Sequence, residues 1–388
     1  MPSLGGTARL VVARALSTIT TNQNAIPGSF QSECFGSAVY PSYFPPFFWC
    51  LAREYSVYIQ NFSTLVFPRR LPQVTSEFPA SGSPLSLMSG LDALLNRPRP
   101  SAWQRFVQQP CIFLAHKLYT WGQIIPIQPI HPVSVVCISD THNSQPALPD
   151  GDILIHAGDL TQSGSLQELQ TAVTWLRAQS HPVKIVVAGN HDLLLDESYT
   201  GDRGDNFNAG KAAGKMINWG DIIYLENSET TVTCANGRQL RVYGSPRSPR
   251  HGNWAFQYPR RKDVWTGATP KGVDILITHG PPRAHLDLQR LGCDYLLREL
   301  WRVRPKLHVF GHVHEGAGTE WLQFDGLQRA YEDTVITGGG FWNLLWTLKA
   351  FLLTLFGTAA EAKYLLVNAA MVGGLRDDER RRPVKVMI

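Results

Sequence analysis

Five short motifs in the second half of the chain hold most of its candidate metal donors: Asp140-Thr141-His142, Gly158-Asp159, Gly189-Asn190-His191-Asp192, Thr278-His279-Gly280 and Gly311-His312-Val313-His314. Asp140 and Asp159 offer carboxylates, Asn190 a carboxamide oxygen, and His142, His279, His312 and His314 imidazoles. That donor set suffices for two divalent cations sharing a bridge. A bridging ligand between cations about 3.5–4 Å apart must be anionic and monodentate to each, which suits an aspartate after a glycine that lets the backbone come close. Asp159 has that setting. Any one motif alone reads as an ordinary turn or a hydrogen-bonded strand-end histidine; the ordered set argues for metal. It contains no cysteine, which disfavours a structural zinc cluster, and its nitrogen and oxygen donors suit Mn, Fe, Zn or Co.

Each motif begins where a short, mostly β-branched run stops, after VSVVCIS, DILIHA, VKIVVA, DILIT and LHVF. Ligands then cluster where strands end, at the open edge of an α/β sheet. Strand alternation is expected to bring Asp140 and His142 to one side, and likewise His312 and His314 with Val313 turned into the core. The pattern predicts buried strands at 133–139, 152–156 and 183–188, a helix at 165–179, and a meander through 222–225, 230–234 and 239–244 with a hairpin turn at Asn236-Gly237. Residues 131–388 form the α/β domain. It is interrupted near 341–356 by FWNLLWTLKAFLLTLF, apolar nearly all round a helix.

Residues 1–130 read as a separate extension, rich in Pro, Ser and aromatics, partly disordered, with an amphipathic helix near 102–121. The first 32 residues carry Arg9 and Arg14 and no acid, which fits a mitochondrial presequence and fits an ordinary disordered N-terminus too. Six scattered cysteines without CxxC spacing indicate a reduced, intracellular and cytoplasmic protein, with membrane-associated and mitochondrial locations as alternatives. A net charge of +5 without a basic, aromatic-laced groove argues against polymeric nucleic acid. Nothing in the sequence fixes the oligomeric state.

These residues resemble the calcineurin-like metallophosphoesterase superfamily, whose pattern is D-x-H, GD, GNH, H and GHxH on a four-layer α/β/β/α sandwich. The intervening stretches YGSPRSPRHGNWAFQYPR and DILITHGPPRAHLD resemble the metallophosphoesterase-domain proteins of fungi and animals, related to brain-expressed mammalian members. The resemblance implies a first metal at Asp140, His142, Asp159 and His314 and a second at Asp159, Asn190, His279 and His312. Manganese is among the candidate ions. It also implies hydrolysis by a hydroxide bridging the ions, with His191 as the catalytic acid beside the metals.

Protein phosphatases of this superfamily extend the second motif to GDxxDRG, whereas this chain reads Gly158-Asp159-Leu160-Thr161-Gln162-Ser163. Lacking that Arg, the site loses a bidentate partner for a dianionic monoester, and a small phosphodiester, a nucleotide among them, becomes the expected substrate. The partner orienting His191 is left among Gln162, Asp192 and a main-chain oxygen. Substrate contacts are expected from Arg247, Arg250, His251, Asn253 and Trp254 in the loop 245–260, which also holds Phe256 and Arg260. Arg283 and His285 are candidates to support the metal ligands. The alternatives are a nucleotide-binding signalling module with little turnover, and a phosphomonoesterase or protein phosphatase. The 341–356 helix is too short to span a bilayer, about 24 Å against about 30 Å. It is expected either at a membrane interface, as a peripheral contact, or packed against residues 111–121.

Overall fold

The computed structural model describes residues 101–123, 131–199, 217–357, 364–373 and 378–388. All belong to one compact unit, Ser89–Ile388. The presequence reading and nearly all of the N-terminal extension lie outside the described residues. The helices are α1 (Ala102–Gln108), α2 (Pro110–Gly122), α3 (Leu166–Arg177), α4 (Asp294–Val303), α5 (Gly326–Ile336) and α6 (Phe341–Phe356). The main strands are β1 (Ser134–Ile138), β2 (Ile153–Ala157), β3 (Val183–Val187), β4 (Ile222–Tyr224), β5 (Ser228–Thr233), β6 (Gln239–Ser245), β7 (Ile275–Thr278), β8 (Leu307–Phe310), β9 (Gly318–Leu322), β10 (Tyr364–Asn368) and β11 (Val384–Met387).

Two sheets face each other. The first has five strands in the order β11-β1-β2-β3-β4, parallel except for the C-terminal edge strand β11. The second has six in the order β9-β10-β8-β7-β6-β5, with a parallel centre and antiparallel edges β5 and β9. The two-residue period of a strand sets the layers. Val135, Cys137, Ile153 and Ile155 point inward to meet Val242, Ile277, Val309 and Val367 of the other sheet. The alternate residues Val136, Ile138 and Leu154 turn outward onto Leu169, Val173 and Leu176 of α3. On the far side Leu276, Phe310 and Leu366 pack on Leu296 and Leu300 of α4. The result is the expected α/β/β/α stack, and central strands covered on both faces explain the unbroken apolar runs.

Two expectations about elements need correction. Residues 222–225 do not join a meander: β4 pairs in parallel with β3, and the chain then crosses to the second sheet, turning at Asn227 with φ 50°. Only β5 and β6 form a hairpin, closed over Asn236-Gly237 with Gly237 at φ 81°. The single helix expected near 102–121 is two helices, because Pro110 brings no N–H to continue α1 and instead starts α2. Ile112, Ala115 and Tyr119 of α2 form a satellite core with Leu327, Tyr331 and Val335 of α5, against which Leu344 and Phe351 of α6 pack. No described helix is long and apolar enough to cross a membrane.

Candidate metal centre

The C-terminal ends of β1, β2 and β3 meet those of β7 and β8 at one rim, and the backbone there is contorted. Asp140, His142, Asp159 and His312 take φ values of 51°, 43°, 54° and 65°. This left-handed region is unfavourable for residues other than glycine, and such strain gathers at functional sites. Strand alternation therefore does not align the paired ligands. β1 ends at Ile138 and β8 at Phe310, and left-handed turns bring Asp140 and His142, and His312 and His314, round instead. Val313 is buried as expected. The motif glycines have a steric reason: a Cβ on Gly189 would collide with the Asp159 carboxylate, and one on Gly311 with that of Asp140.

Three sets of donor atoms converge to within 4.8 Å: Asp140, His142 and His314; His142, Asp159 and His191; and Asp159, His279 and His312. Asp159 Oδ2 lies 3.3 Å from His279 Nε2 and 3.9 Å from His142 Nε2, so this carboxylate touches both halves of the cluster. His314 Nε2 is 3.3 Å from Asp140 Oδ1. Asn190 Oδ1 is 2.9 Å from His279 Nε2.

Histidine tautomers decide whether these atoms suit a cation. His142 Nδ1 lies 3.2 Å from the Thr161 carbonyl oxygen and His279 Nδ1 3.0 Å from that of Ala157. A carbonyl only accepts, so each Nδ1 carries the proton and each Nε2 can present a lone pair, as in metal-binding histidines. His142 Nε2 and His314 Nε2 stand 3.4 Å apart. Two nitrogens bound at about 2.0–2.1 Å to one tetrahedral ion would stand roughly 3.3–3.4 Å apart. The donor set fits divalent cations.

Charge follows the same geometry. Burial alone would raise the Asp140 and Asp159 carboxyls, but His314 beside the first and His279 beside the second hold both below the ordinary range. Burial alone would lower His279, yet Asp159 and Asp140 raise it to about 9, while His312, buried beside His279, falls to about 3.

Several supporting residues escaped sequence reading. Asp192 does not orient His191; its carboxylate accepts from Leu160 N, Thr161 N and Gly189 N at 3.2, 3.0 and 2.8 Å, tying the second and third motifs together. His156 and His308, each set within an apolar strand, place Nε2 at 2.9 Å from Thr141 Oγ1 and 2.8 Å from Thr278 Oγ1. The Thr278 hydroxyl donates to Gly280 O, so His308 Nε2 must be the donor and its Nδ1 a bare lone pair. Asn368 and Arg381 donate to the carbonyl oxygens of Val313 and His314 in the last motif. Only a polar residue inside an otherwise apolar strand, His156, His308 or Asn368, could have flagged this support.

His191 takes the Gln162 main-chain oxygen on Nδ1 at 2.7 Å, and its N–H donates to Asp159 Oδ1 at 2.7 Å. The half-buried Trp254 stacks on its ring, with centroids 4.2 Å apart and planes at 29°. His251 lies edge-on to His312 at 4.8 Å. The rest of the loop divides. Arg250 and Asn253 are exposed, while Arg247 donates to Val264 O at 2.7 Å and Arg260 to Leu291 O at 3.0 Å. Arg283 pairs with Asp294, and His285 sits between Glu320 and Glu332 rather than behind a metal ligand.

Residues 133–316 match the family described as calcineurin-like phosphoesterase. A UPF0046 protein of Caenorhabditis elegans is 31% identical over 255 residues, which cover 59% of this chain and 84% of the relative. The chain belongs to the calcineurin-like phosphoesterase family. This metallophosphoesterase is also 42% identical over 204 residues to human metallophosphoesterase domain-containing protein 1, covering 47% of the chain and 61% of the relative. It is 46% identical over 305 residues to a protein of Emericella nidulans named probable rhamnogalacturonate lyase C, covering 77% of the chain and 29% of that protein. The chain thus spans less than two thirds of these last two relatives. The metallophosphoesterase family is metal-dependent and points to phosphoric ester hydrolysis.

Proposed function

We propose that the chain is a dinuclear, metal-dependent phosphodiesterase acting on a small phosphodiester, a nucleotide among the candidates. The observation that carries this reading is the seat of Asp159, whose Oδ2 faces His279 Nε2 and His142 Nε2 at 3.3 and 3.9 Å. Asp140, His142, Asp159 and His314 would hold one ion, and Asp159, Asn190, His279 and His312 the other. Two such cations, when bound, polarise phosphoryl oxygens and lower the pKa of water.

The chain's own residues supply the proton traffic. His191 is fixed through Nδ1–H to the Gln162 oxygen, and in its imidazolium form it would give the Nε2 proton to the leaving alkoxide and become neutral. Trp254, stacked on that ring, restricts its rotation and keeps water from one face. Its indole also offers a flat surface to a base, beside His251, Arg250 and Asn253 for phosphate. Arg247 and Arg260 are held by main-chain oxygens, which supports a monoanionic diester over a dianionic monoester that calls for a bidentate guanidinium.

The test is kcat/KM under Mn, Zn and Mg for bis-aryl and cyclic phosphodiesters against an aryl phosphomonoester and a phosphoserine peptide. The diesters should lead by about tenfold or more, the size of one lost charge-assisted contact. A preference for the phosphoserine peptide would reverse the ranking and favour a phosphatase.

A further inference from the structure

Helix α6 is packed inside out. Its uncharged polar side chains Thr347 and Asn343 face the protein: Thr347 is fully buried, 3.1 Å from the Thr334 hydroxyl and from the Ala330 carbonyl oxygen. Asn343 Nδ2 donates to Thr337 Oγ1 at 2.7 Å and to Gly339 O at 2.9 Å. Apart from Leu344, Ala350 and Phe351, which pack on α2 and α5, its large apolar side chains lie outward, with Trp342, Trp346, Leu353 and Phe356 exposed at 74, 61, 61 and 65%. At about 100° per residue the helix's exposed positions fall within one arc of roughly 160°. The buried contacts of Thr347 fix which face is outward, because rotating α6 to hide its tryptophans would strip this hydroxyl of its partners.

Among the described helices around this face, α1, α2 and α6 carry positive charge only, while α5 behind them adds the exposed Arg329 and Asp333. Helices α1, α2 and α6 contain no acidic residue, and they supply Arg105, Lys117 and Lys349. α2 runs alongside α6 in the same direction, with Gly339 near Cys111 and Gly122 near Phe351. It adds an exposed stripe of Leu114, Lys117 and Trp121.

We propose that the outward face of α6 is a docking surface for an anionic phospholipid bilayer, with the helix lying in the plane of the headgroup–acyl boundary. Its other face is held by α2 and α5, and its length of about 24 Å is short of the ~30 Å hydrocarbon core, so it lies on the bilayer instead of crossing it. Tryptophans suit that boundary, where one edge of the ring is apolar and the other wet. Lys349 decides between lipid and a second copy of the chain. It sits near the middle of the arc, its ammonium 4.8 Å from the centroid of the Trp346 ring. A two-fold pairing of this face would bury Lys349 against its own mate. Lipid phosphates and carboxylates would neutralise it while its stem lies along the apolar surface.

The proposal does not depend on the phosphodiesterase reading and is tested without substrate. The full chain is sedimented with vesicles of phosphatidylcholine alone and of phosphatidylcholine mixed with phosphatidylserine. It should bind the mixed vesicles more tightly. The triple variant Trp342→Ser, Trp346→Ser, Leu353→Ser should lose about tenfold or more in partitioning, with its circular dichroism and metal content unchanged. Lys349→Glu should weaken binding to mixed vesicles about fivefold or more and narrow their advantage over neutral ones. Wild-type protein that stays in the supernatant with mixed vesicles overturns the proposal. So does a triple variant that binds as wild type, or a lipid-free dimer that the triple variant dissolves, which would give the face to a second copy.

Discussion

The metal centre and the His285 cluster both bury histidine beside carboxylate, and they use the ring nitrogens in opposite ways. His142 and His279 each donate Nδ1–H to a neutral carbonyl, which turns Nε2 toward Asp159 and leaves it as the nitrogen that can bind a cation once any proton on it is released. At His285 both nitrogens meet carboxylates, Glu320 at 2.7 Å and Glu332 at 3.0 Å, and Glu332 also accepts from Trp301 Nε1 at 2.7 Å. Burial would lower the His285 pKa, but the two glutamates raise it to about 10. A cation at His285 would have to displace a proton held between a ring nitrogen and a glutamate on either side, whereas at His279 one nitrogen is held by a neutral carbonyl and only the other proton must leave. What separates a ligand from a structural histidine here is the charge of the group behind the ring, since burial and nearby acids are common to both.

Breaking the two clusters should have different consequences. His191→Ala removes the proposed proton donor while leaving the proposed ligands of both ions in place. It should retain metal and lose about 10²- to 10⁴-fold in kcat. The loss should shrink for a substrate with a good leaving group, and equal losses on activated and unactivated esters would contradict the role.

His285→Leu should do the reverse, retaining metal but destabilising the fold by about 3–5 kcal/mol, the usual cost of leaving a buried charge without its partner. The folded pKa is raised from 6.5 to about 10, so this histidine's ionic contribution is complete below pH 6.5 and is lost as pH rises through about 10. Denaturant titrations of wild type and variant should therefore converge toward pH 10, and a gap independent of pH would mean that packing alone is at stake.

The smallest effect is a proton released on metal binding. His279 holds its proton up to about pH 9 in the metal-free protein, and a cation needs that Nε2 bare. Metal affinity should rise by about tenfold per pH unit from 7 toward 9 and then level off. A flat profile in isothermal titration would show that His279 is already neutral.

The candidate ligands were legible in the sequence because each follows an apolar strand and together they form an ordered set, and the structure brings their donor atoms together. The way they converge was not. Pleat alternation was the natural expectation for Asp140 and His142, yet left-handed turns at 51° and 43° place them, a conformation that residue types do not announce. The helix α3 was legible to within a few residues because Ser165 and Glu168 form a capping box ahead of an apolar stripe. The fate of 222–225 was not, since a short apolar run looks the same whether it pairs in parallel with β3 or turns back on its successor. His285 looked like a helper of His279 by proximity in sequence. Only the positions of Glu320 and Glu332, 35 and 47 residues away, show otherwise.

The most direct test is metal stoichiometry by plasma mass spectrometry on the full chain loaded with Mn or Zn, alongside Asp159→Ala and His285→Leu. The wild type and His285→Leu should each hold two ions per chain, and Asp159→Ala should lose both ions together with hydrolysis, because the two proposed sites would share that carboxylate. A wild-type chain holding one ion or none, or an Asp159→Ala variant that keeps its ions and its turnover, would contradict the shared bridge.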